Sequence, residues 1–496
     1  MMPTGVAASP ESAFLAHARS PVAILLLLGG IFLFYAATIR EGHVWDDDVA
    51  QYVLHARNIA EGRHYSDTGY IFNPEYAALG PISYPPGFPL LLAPIWALRG
   101  MDFHAMKLLE VVCMIAWLAA VYAYFRREFS VPMNLFLIAV LGFCPLFWDF
   151  KDFIGSEFPF LAALYAALVL IRRAYSQEGE PSLRAVLAVS LMIFAAYSIR
   201  TVGAVLIPAL LIRDLLANRR ISRFTALTCS LSCTLCAAVS LYLRSAGGTL
   251  SLFHLDPLTV WVNLRTYIGM AAAMCQAGRW RAVAWALEAL TAIGALWAFS
   301  RRIRLRTPPG IVEVFAVLYV AILLVYSPHE VRFLFPVFPP FIALVLGSAA
   351  TLAHHLSKGA SRSLALLSGG LLLFAYVGQY RSLDWGTIRG GFTDSRFLDA
   401  MTFIRSGTET YDVILFRKAR LVPLLSGRRA MTYAHVPGLG SFVHTVRPRY
   451  VLAPYRSVGI FSSDADFLWP FLRSQVRKAE LVYSNGSYAV YRIQTW

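Results

Sequence analysis

The sequence predicts a polytopic α-helical membrane protein of about 11 spans, closed by a C-terminal extracytoplasmic α/β domain. Three observations lead there. The 496 residues are 57% hydrophobic and only 15% charged, where a soluble chain of this length carries about a quarter charged residues. The charged residues gather between apolar runs instead of being spread evenly. Basic clusters also recur at every second helix end: Arg126-Arg127, Arg172-Arg173, Arg219-Arg220 with Arg223, Arg301-Arg302 with Arg304 and Arg306, then Lys358 and Arg362. That alternation is the pattern expected of cytoplasmic loops. It accounts for much of the net charge of +15 through topology and calls for no nucleic acid.

The first element, 21–39, is an apolar run long enough to span, since about 20 residues at 1.5 Å each cross a ~30 Å hydrocarbon layer. No small-residue cleavage site follows it, but Arg40-Glu41-Gly42-His43 does, so it is predicted to be retained as a first span. With the basic clusters as cytoplasmic ends, further spans fall at about 104–125, 132–148, 158–174, 185–200, 202–217, 224–244, 281–300, 311–327, 333–353 and 364–380. The region 255–278 leaves room for one more. Residues 1–390 then form a transmembrane domain in the cytoplasmic (inner) membrane, with the N-terminus inside. The loop 40–103, the stretch Asp149–Glu157, residues 245–280 and Ser327–Arg332 all face the outer side.

The outer loop 40–103 opens on Trp45-Asp46-Asp47-Asp48. Val49–Gly62 follows with helical apolar spacing and a polar opposite face, which predicts a helix lying flat in the interface. Tyr84-Pro85-Pro86-Gly87-Phe88-Pro89 forbids a helix upstream and leads into about ten apolar residues ending at Leu98. That length is short for a span and predicts a half-buried or re-entrant helix over a cavity.

From Asp394 the apolar runs stop, and residues 391–496 read as a small globular domain. A helix at Ser395–Arg405 precedes a strand at Asp412–Phe416. A second strand lies at Arg449–Pro454 and an amphipathic helix at about Asp464–Lys478. Leu481–Tyr483 and Tyr488–Ile493 flank Asn485-Gly486, the strongest short hairpin signal. From Arg396 to Trp496 there are 14 basic residues against six acidic, which favours anionic head groups or an anionic substrate nearby.

The six cysteines form no disulfide framework. Cys229, Cys233 and Cys236 share one face of an apolar run and read as packing residues. No phosphate-cradling glycine loop, HExxH or Cys/His zinc spacing is present.

A carboxylate cluster at a membrane surface repels itself and is costly to desolvate. It reads either as a helix cap, for which Asp is favoured, or as a site. Other polar groups share its side: Asp149, Lys151, Asp152 and Glu157, then Arg200, and His329-Glu330-Val331-Arg332 between two apolar helices. Carboxylates facing Arg and Lys in one chamber suit group transfer away from a phosphate. The carboxylate takes the proton of an acceptor hydroxyl, and guanidinium groups hold the departing phosphate.

The motifs, in order, resemble the GT-C class of integral-membrane glycosyltransferases. They are Asp47-Asp48-Val49-Ala50-Gln51-Tyr52 through Glu61-Gly62, the Tyr84-Pro85-Pro86-Gly87-Phe88-Pro89 turn, Ser156-Glu157, and His329-Glu330-Val331-Arg332-Phe333 with Pro336 and Pro339-Pro340. The resemblance runs across nearly the whole chain. It is closest to the branch of protein O-mannosyltransferases and lipid A aminoarabinose and galacturonic acid transferases. It implies a polyprenyl-phosphate donor carrying one sugar, hexose or pentose, used at the outer face with inversion and an Asp general base. Asp47 best matches the family's first-loop acid and Asp48 comes next, while Asp48 also reads as the helix cap. Arg332, Arg200 and Lys151 would bind the donor phosphate. Tyr52, Tyr84, Glu157, His329 and Glu330 would line the substrate groove. No cofactor is required, although Asp46 and Asp47 offer ligands to a divalent ion. Membrane lipids and the lipid-linked donor are the expected partners. The acceptor is open among lipid, polysaccharide and protein. The competing readings are a secondary transporter, disfavoured because no halves repeat, and a polyprenyl-diphosphate oligosaccharide ligase or polymerase.

Overall fold

The computed structural model describes residues 10–177, 179, 181–243, 252–274, 308–346, 374–456 and 464–496. Helix α1 spans Pro10–Ala37, α2 Asp47–Ala60, α3 Gly87–Arg99, α4 Phe103–Phe125, α5 Val131–Gly142, α6 Pro145–Phe150 and α7 Glu157–Tyr175. Then come α8 Leu183–Ile199, α9 Leu206–Asn218, α10 Arg223–Leu243, α11 Pro257–Met274, α12 Ile311–Val325 and α13 Val331–Leu346, the last opening as a tight 3₁₀ coil. Four segments among the described residues are long and apolar enough to cross a membrane: Phe103–Phe125, Glu157–Tyr175, Thr201–Asn218 and Arg223–Leu243.

The described helices overlap the predicted spans, with α1 reaching back to Pro10. The run 132–148 breaks into α5 and α6 because Pro145 cannot continue the helix and instead starts the next one. The room left at 255–278 is filled by α11. The predicted span 281–300 and residues 347–353 and 364–373 lie outside the described residues. Leu25, Leu26, Leu33, Leu187, Leu191 and Leu241 point outward, as lipid-facing side chains do. Inward, Trp117, Phe147, Phe158 and Phe335 pack as edge-on, tilted and stacked rings between α4, α6, α7 and α13.

Helix α2 does not lie flat on lipid. Val49, Ala50, Val53 and Leu54 are buried, and so are Gln51, His55 and Asn58 on the opposite face. The polar face turns to protein: Asn58 Nδ2 donates to the carbonyls of His64, Tyr65 and Asp67. The His55 ring accepts the Tyr84 N–H and stacks on Tyr65 at 4.2 Å. Helix α3 is the expected short helix after the Tyr84 turn. It starts at Gly87, where a Cβ would sit 2.6 Å from the carbonyl carbon of Ser198 in α8, so only glycine allows α3 and α8 to approach this closely.

The last hundred residues supply five strands of a six-stranded sheet of order β1-β3-β2-β4-β6-β5. The strands are β1 Tyr70–Ile71, β2 Val413–Leu415, β3 Arg429–Met431, β4 Tyr450–Pro454, β5 Ala479–Ser484 and β6 Tyr488–Ile493. The first four in the sheet run parallel, and β4, β6 and β5 are antiparallel. The Asn485-Gly486 hairpin forms as predicted, with the Asn485 side chain accepting from the amides of Ser487 and Tyr488. Helix α14, Ser395–Gly407, also matches. The predicted helix at 464–478 is shorter: a π-type turn at Asp464–Leu468 leads into Trp469–Ser474. β1 comes from the loop between α2 and α3 and pairs with β3 through Tyr70↔Ala430 and Ile71↔Met431. The sheet therefore does not close on residues 391–496 alone. Helix α15, Leu421–Ser426, packs beside α2.

Candidate active site

Five pieces of chain converge at the N-terminus of α2. They are the aspartate triplet, the Pro81–Tyr84 turn, Ser156-Glu157 at the start of α7, Arg200 at the end of α8, and Glu330-Val331-Arg332. A sixth piece, Lys418–Arg420, arrives from the C-terminal sheet after β2.

The three aspartates point three ways. Asp46 is extended (φ −151°) and is the N-cap of α2, its Oδ1 accepting the Asp48 N–H at 2.6 Å. The cap expected of Asp48 therefore belongs to Asp46: the cap residue must be non-helical while its side chain reaches two residues on, and Asp48 is already inside the helix. Asp47 is buried against the soluble domain, with Oδ1 accepting the Arg420 N–H at 3.2 Å and Oδ2 3.2 Å from Lys418 Nζ. Asp48 faces the chamber and its side chain keeps 31% exposure. Its Oδ1 accepts the Tyr84 hydroxyl at 2.6 Å and lies 3.3 Å from Arg420 Nη1, and its Oδ2 lies 3.6 Å from Arg332 Nη2.

The electrostatics separate them further. Burial works against the Asp48 charge, but Arg332, then Arg420 and the Tyr84 hydroxyl outweigh it and hold the carboxyl below the ordinary carboxylate range. Burial and the neighbouring Asp48 carboxylate push Asp46 up to about 8, against the pull of Arg332 and Lys418. Burial also opposes the charge on Lys418, yet Asp47 and Asp46 overcome it and keep the ammonium above its usual value. The same cations thus favour the charged form of Asp48, while burial and the Asp48 charge favour the protonated form of Asp46.

Behind Asp48 lies a chain of charges. Arg332 Nη1 is 3.2 Å from Glu157 Oε1 and pairs with Glu330, and Arg200 Nη1 pairs with the same Glu157 oxygen. Glu157 Oε2 is buried without a hydrogen-bond partner. Tyr52 donates to Ser156 Oγ at 3.0 Å and its ring packs 5.1 Å from that of Tyr84. Of the residues picked from sequence, Asp48, Arg332, Arg200, Glu157, Glu330, Tyr52 and Tyr84 come together here. His329 stands one step away, its ring bonded to Asn263 of α11, whose amide holds the carbonyls of Leu324 and Tyr326 at 2.9 and 3.0 Å.

Lys151 is not in this chamber. Its Nζ is fully buried 2.7 Å from Asp152 and 3.8 Å from the Trp148 ring centroid. There it belongs to a separate network in which Arg40 bridges Asp149 and Asp152 at 2.7 and 2.6 Å, and Lys107 donates to the carbonyls of Arg40 and Gly42. The ammonium expected at the donor phosphate is thus enclosed by its own neighbours, away from Arg332 and Arg200. The carboxylates of Asp46 and Asp47, expected to offer ligands to a divalent ion, diverge: Asp46 caps α2, and Asp47 is held by Lys418 and the Arg420 backbone amide.

Sequence reasoning missed Lys418 and Arg420. Only a general signal pointed to them, the basic excess of the soluble domain; nothing local separated these two from the other arginines and lysines.

Comparison with known proteins agrees with this architecture. The sequence model of the dolichyl-phosphate-mannose-protein mannosyltransferase family matches residues 83–243. No curated protein sequence is significantly similar to the chain. Among solved structures, ArnT from Cupriavidus metallidurans bound to undecaprenyl phosphate superposes with a TM-score of 0.58 at 12% identity, covering 98% of each chain. The oligosaccharyltransferase AglB from Archaeoglobus fulgidus, in complex with an inhibitory peptide and a dolichol-phosphate, gives 0.58 at 12% identity over 87% of this chain and 69% of that one. The arabinofuranosyltransferase AftD from Mycobacteria gives 0.58 at 13% identity over 97% of this chain and 40% of the other. The fold is that of the GT-C class of membrane glycosyltransferases.

Proposed function

We propose that the chain transfers a single sugar from a polyprenyl-phosphate donor to an acceptor hydroxyl at the outer face of the cytoplasmic membrane, with inversion, and that Asp48 is the general base. The observation that carries this reading is the placement of Asp48: an ionised, partly open carboxylate within 3.6 Å of Arg332, whose guanidinium also meets Glu157. In the step proposed, the acceptor oxygen attacks the anomeric carbon while Asp48 takes the hydroxyl proton. The bond from that carbon to the phosphate oxygen breaks, and the electron pair leaves with the polyprenyl phosphate. Arg332 and Arg200 neutralise the charge that the phosphate gains, and Glu157 keeps the two guanidinium groups together. A positioned base of this kind contributes about 10²–10⁴-fold. The lipid phosphates in the ArnT and AglB complexes support a donor of the same chemistry.

The test is sugar release or transfer by purified protein in detergent, given a panel of undecaprenyl-phosphate hexoses and pentoses with a membrane extract as acceptor source. Asp48→Asn should lose about 10²-fold or more in turnover while retaining undecaprenyl-phosphate binding. Asp47→Asn should retain much more activity. Arg332→Ala should weaken undecaprenyl-phosphate binding by about ten-fold or more, the loss of one charge-assisted contact. Full activity of Asp48→Asn, or loss confined to Asp47→Asn, would refute the assignment.

A further inference from the structure

Arg420 has no role in the step above, yet it is among the most enclosed charges in the molecule. Its side chain is fully buried. The Nη1 group lies 3.3 Å from Asp48 Oδ1 and donates to the Tyr84 hydroxyl at 2.6 Å, and Nη2 donates to the Pro81 carbonyl at 2.9 Å. The backbone N–H binds Asp47. The guanidinium carbon lies 4.9 and 4.8 Å from the ring centroids of Tyr70 and Tyr84. Gly80 closes over the group, and a Cβ there would stand 2.9 Å from the Tyr84 hydroxyl and 3.1 Å from Arg420 Nη2. A buried guanidinium is costly unless its partners are held in place. Every partner named here belongs to the first outer loop, while Arg420 itself follows β2 of the soluble domain.

We infer that Arg420 is a positioning residue that fixes the carboxylate of Asp48 and the hydroxyl of Tyr84, so that the soluble domain completes the catalytic centre. The inference rests on Asp48 being the base. The Tyr84 hydroxyl accepts from Arg420 and donates to Asp48, so one guanidinium orients both ends of that contact. The other charged and titratable groups around Asp48 are Asp46 and Asp47 on its own helix, Tyr52 and Tyr84, Tyr326, Arg332, and Lys418. Arg332 remains when Arg420 is removed, so the carboxylate stays paired but loses its second cation and its fixed orientation.

The experiment uses the full-length protein in detergent with the undecaprenyl-phosphate sugars that the wild type turns over, and compares Arg420→Gln and Arg420→Lys. Removing a cation beside the carboxylate moves its titration up, so the acid limb of turnover should shift upward by about one to three pH units in Arg420→Gln. The turnover number should fall by about ten-fold or more with little change in KM. Arg420→Lys should restore the limb while recovering only part of the turnover, since one ammonium cannot reach both Tyr84 and Pro81 as the planar fork does. A second readout needs no substrate: thermal midpoints of Arg420→Gln, Asp48→Asn and the double variant. Non-additive shifts are expected for groups in contact. An unmoved acid limb in folded Arg420→Gln, or additive midpoints, overturns the inference. A coupled cycle in a wild type that turns over none of the donors would instead sink the glycosyl-transfer reading and leave the pairing standing.

Discussion

Replacing Asp46 by Asn should stabilise the protein at neutral pH. The folded chain holds the Asp46 carboxyl at about 8, chiefly through burial and then through the adjacent Asp48 charge, against an ordinary value of 3.8. Between those two values the unfolded chain has released the proton and the folded chain keeps it. Stability therefore declines as pH rises through this window and levels off above it. About four pH units at ~1.4 kcal/mol each set a ceiling of about 6 kcal/mol. Asp46 is only half-buried, so solvent screening brings the expected gain in Asp46→Asn to about 1–3 kcal/mol at pH 7.5. The cap survives the exchange, since the Asn side-chain oxygen can accept the Asp48 N–H as Asp does. Asp48 does not blur the result: its lowered value gives stability that is present throughout the window and is lost only as pH falls below the ordinary carboxylate range. His43 and His55, both held down to about 4 by burial, lose stability as pH falls from 6.5; this affects both proteins equally. Thermal midpoints in detergent from pH 5 to 9, plotted as variant minus wild type, should rise with pH and flatten above about 8. A flat difference, or a variant less stable at pH 7.5, would refute the reasoning.

Further outcomes follow from the same geometry. Tyr84→Phe removes the donor to Asp48 and the acceptor from Arg420, both at 2.6 Å, while the ring keeps its packing on Tyr52. Turnover should fall about ten-fold, and the thermal midpoint should drop by the equivalent of about 1–3 kcal/mol, because the buried Arg420 guanidinium is left short of a partner. Lys151→Met should leave undecaprenyl-phosphate affinity as in wild type and cost about 1–3 kcal/mol of stability, because Asp152 keeps Arg40 and the more distant Lys107 but loses its one close ammonium; a ten-fold loss of affinity would place Lys151 at the phosphate site. Gly87→Ala forces a Cβ to within 2.6 Å of Ser198 backbone, and should cost about 1–3 kcal/mol and weaken donor binding through Arg200, two residues further on.

The parts legible in the sequence were those whose signal is local. Arg126-Arg127 and Arg172-Arg173 fix the ends of α4 and α7, because charges stop an apolar helix within a turn. Asn485-Gly486 fixes a hairpin, because one residue there must take positive φ. What escaped depends on distant chain. β1 and β3 are two and three residues long and show no periodicity; they exist because β1 pairs with β3 and β3 with β2. Lys151 sits in a run, Asp149 to Asp152, that resembles a solvated loop until Trp148 and Arg40 enclose it. Three identical aspartates give no register, and only the extended backbone of Asp46 decides which one caps the helix. The polar face of α2 looked like one that meets water because its partners, Tyr65, Tyr84 and the soluble domain, lie outside any helical window.

The pairing of Tyr70 with Ala430 has a consequence for how the molecule is made. On the proposed topology, the loop carrying the aspartates emerges on the outer side before the strand it must join has been synthesised and while most of the membrane helices are still to be inserted. Contacts between such distant parts of a chain form late. Until the last hundred residues join it, the loop lacks its sheet and Asp47 and Asp48 lack Lys418 and Arg420. A chain truncated after its last span should then insert normally and yet present a first loop open to protease, a difference readable by limited proteolysis of spheroplasts during synthesis. Assembly of the site is in this way tied to completion of the chain.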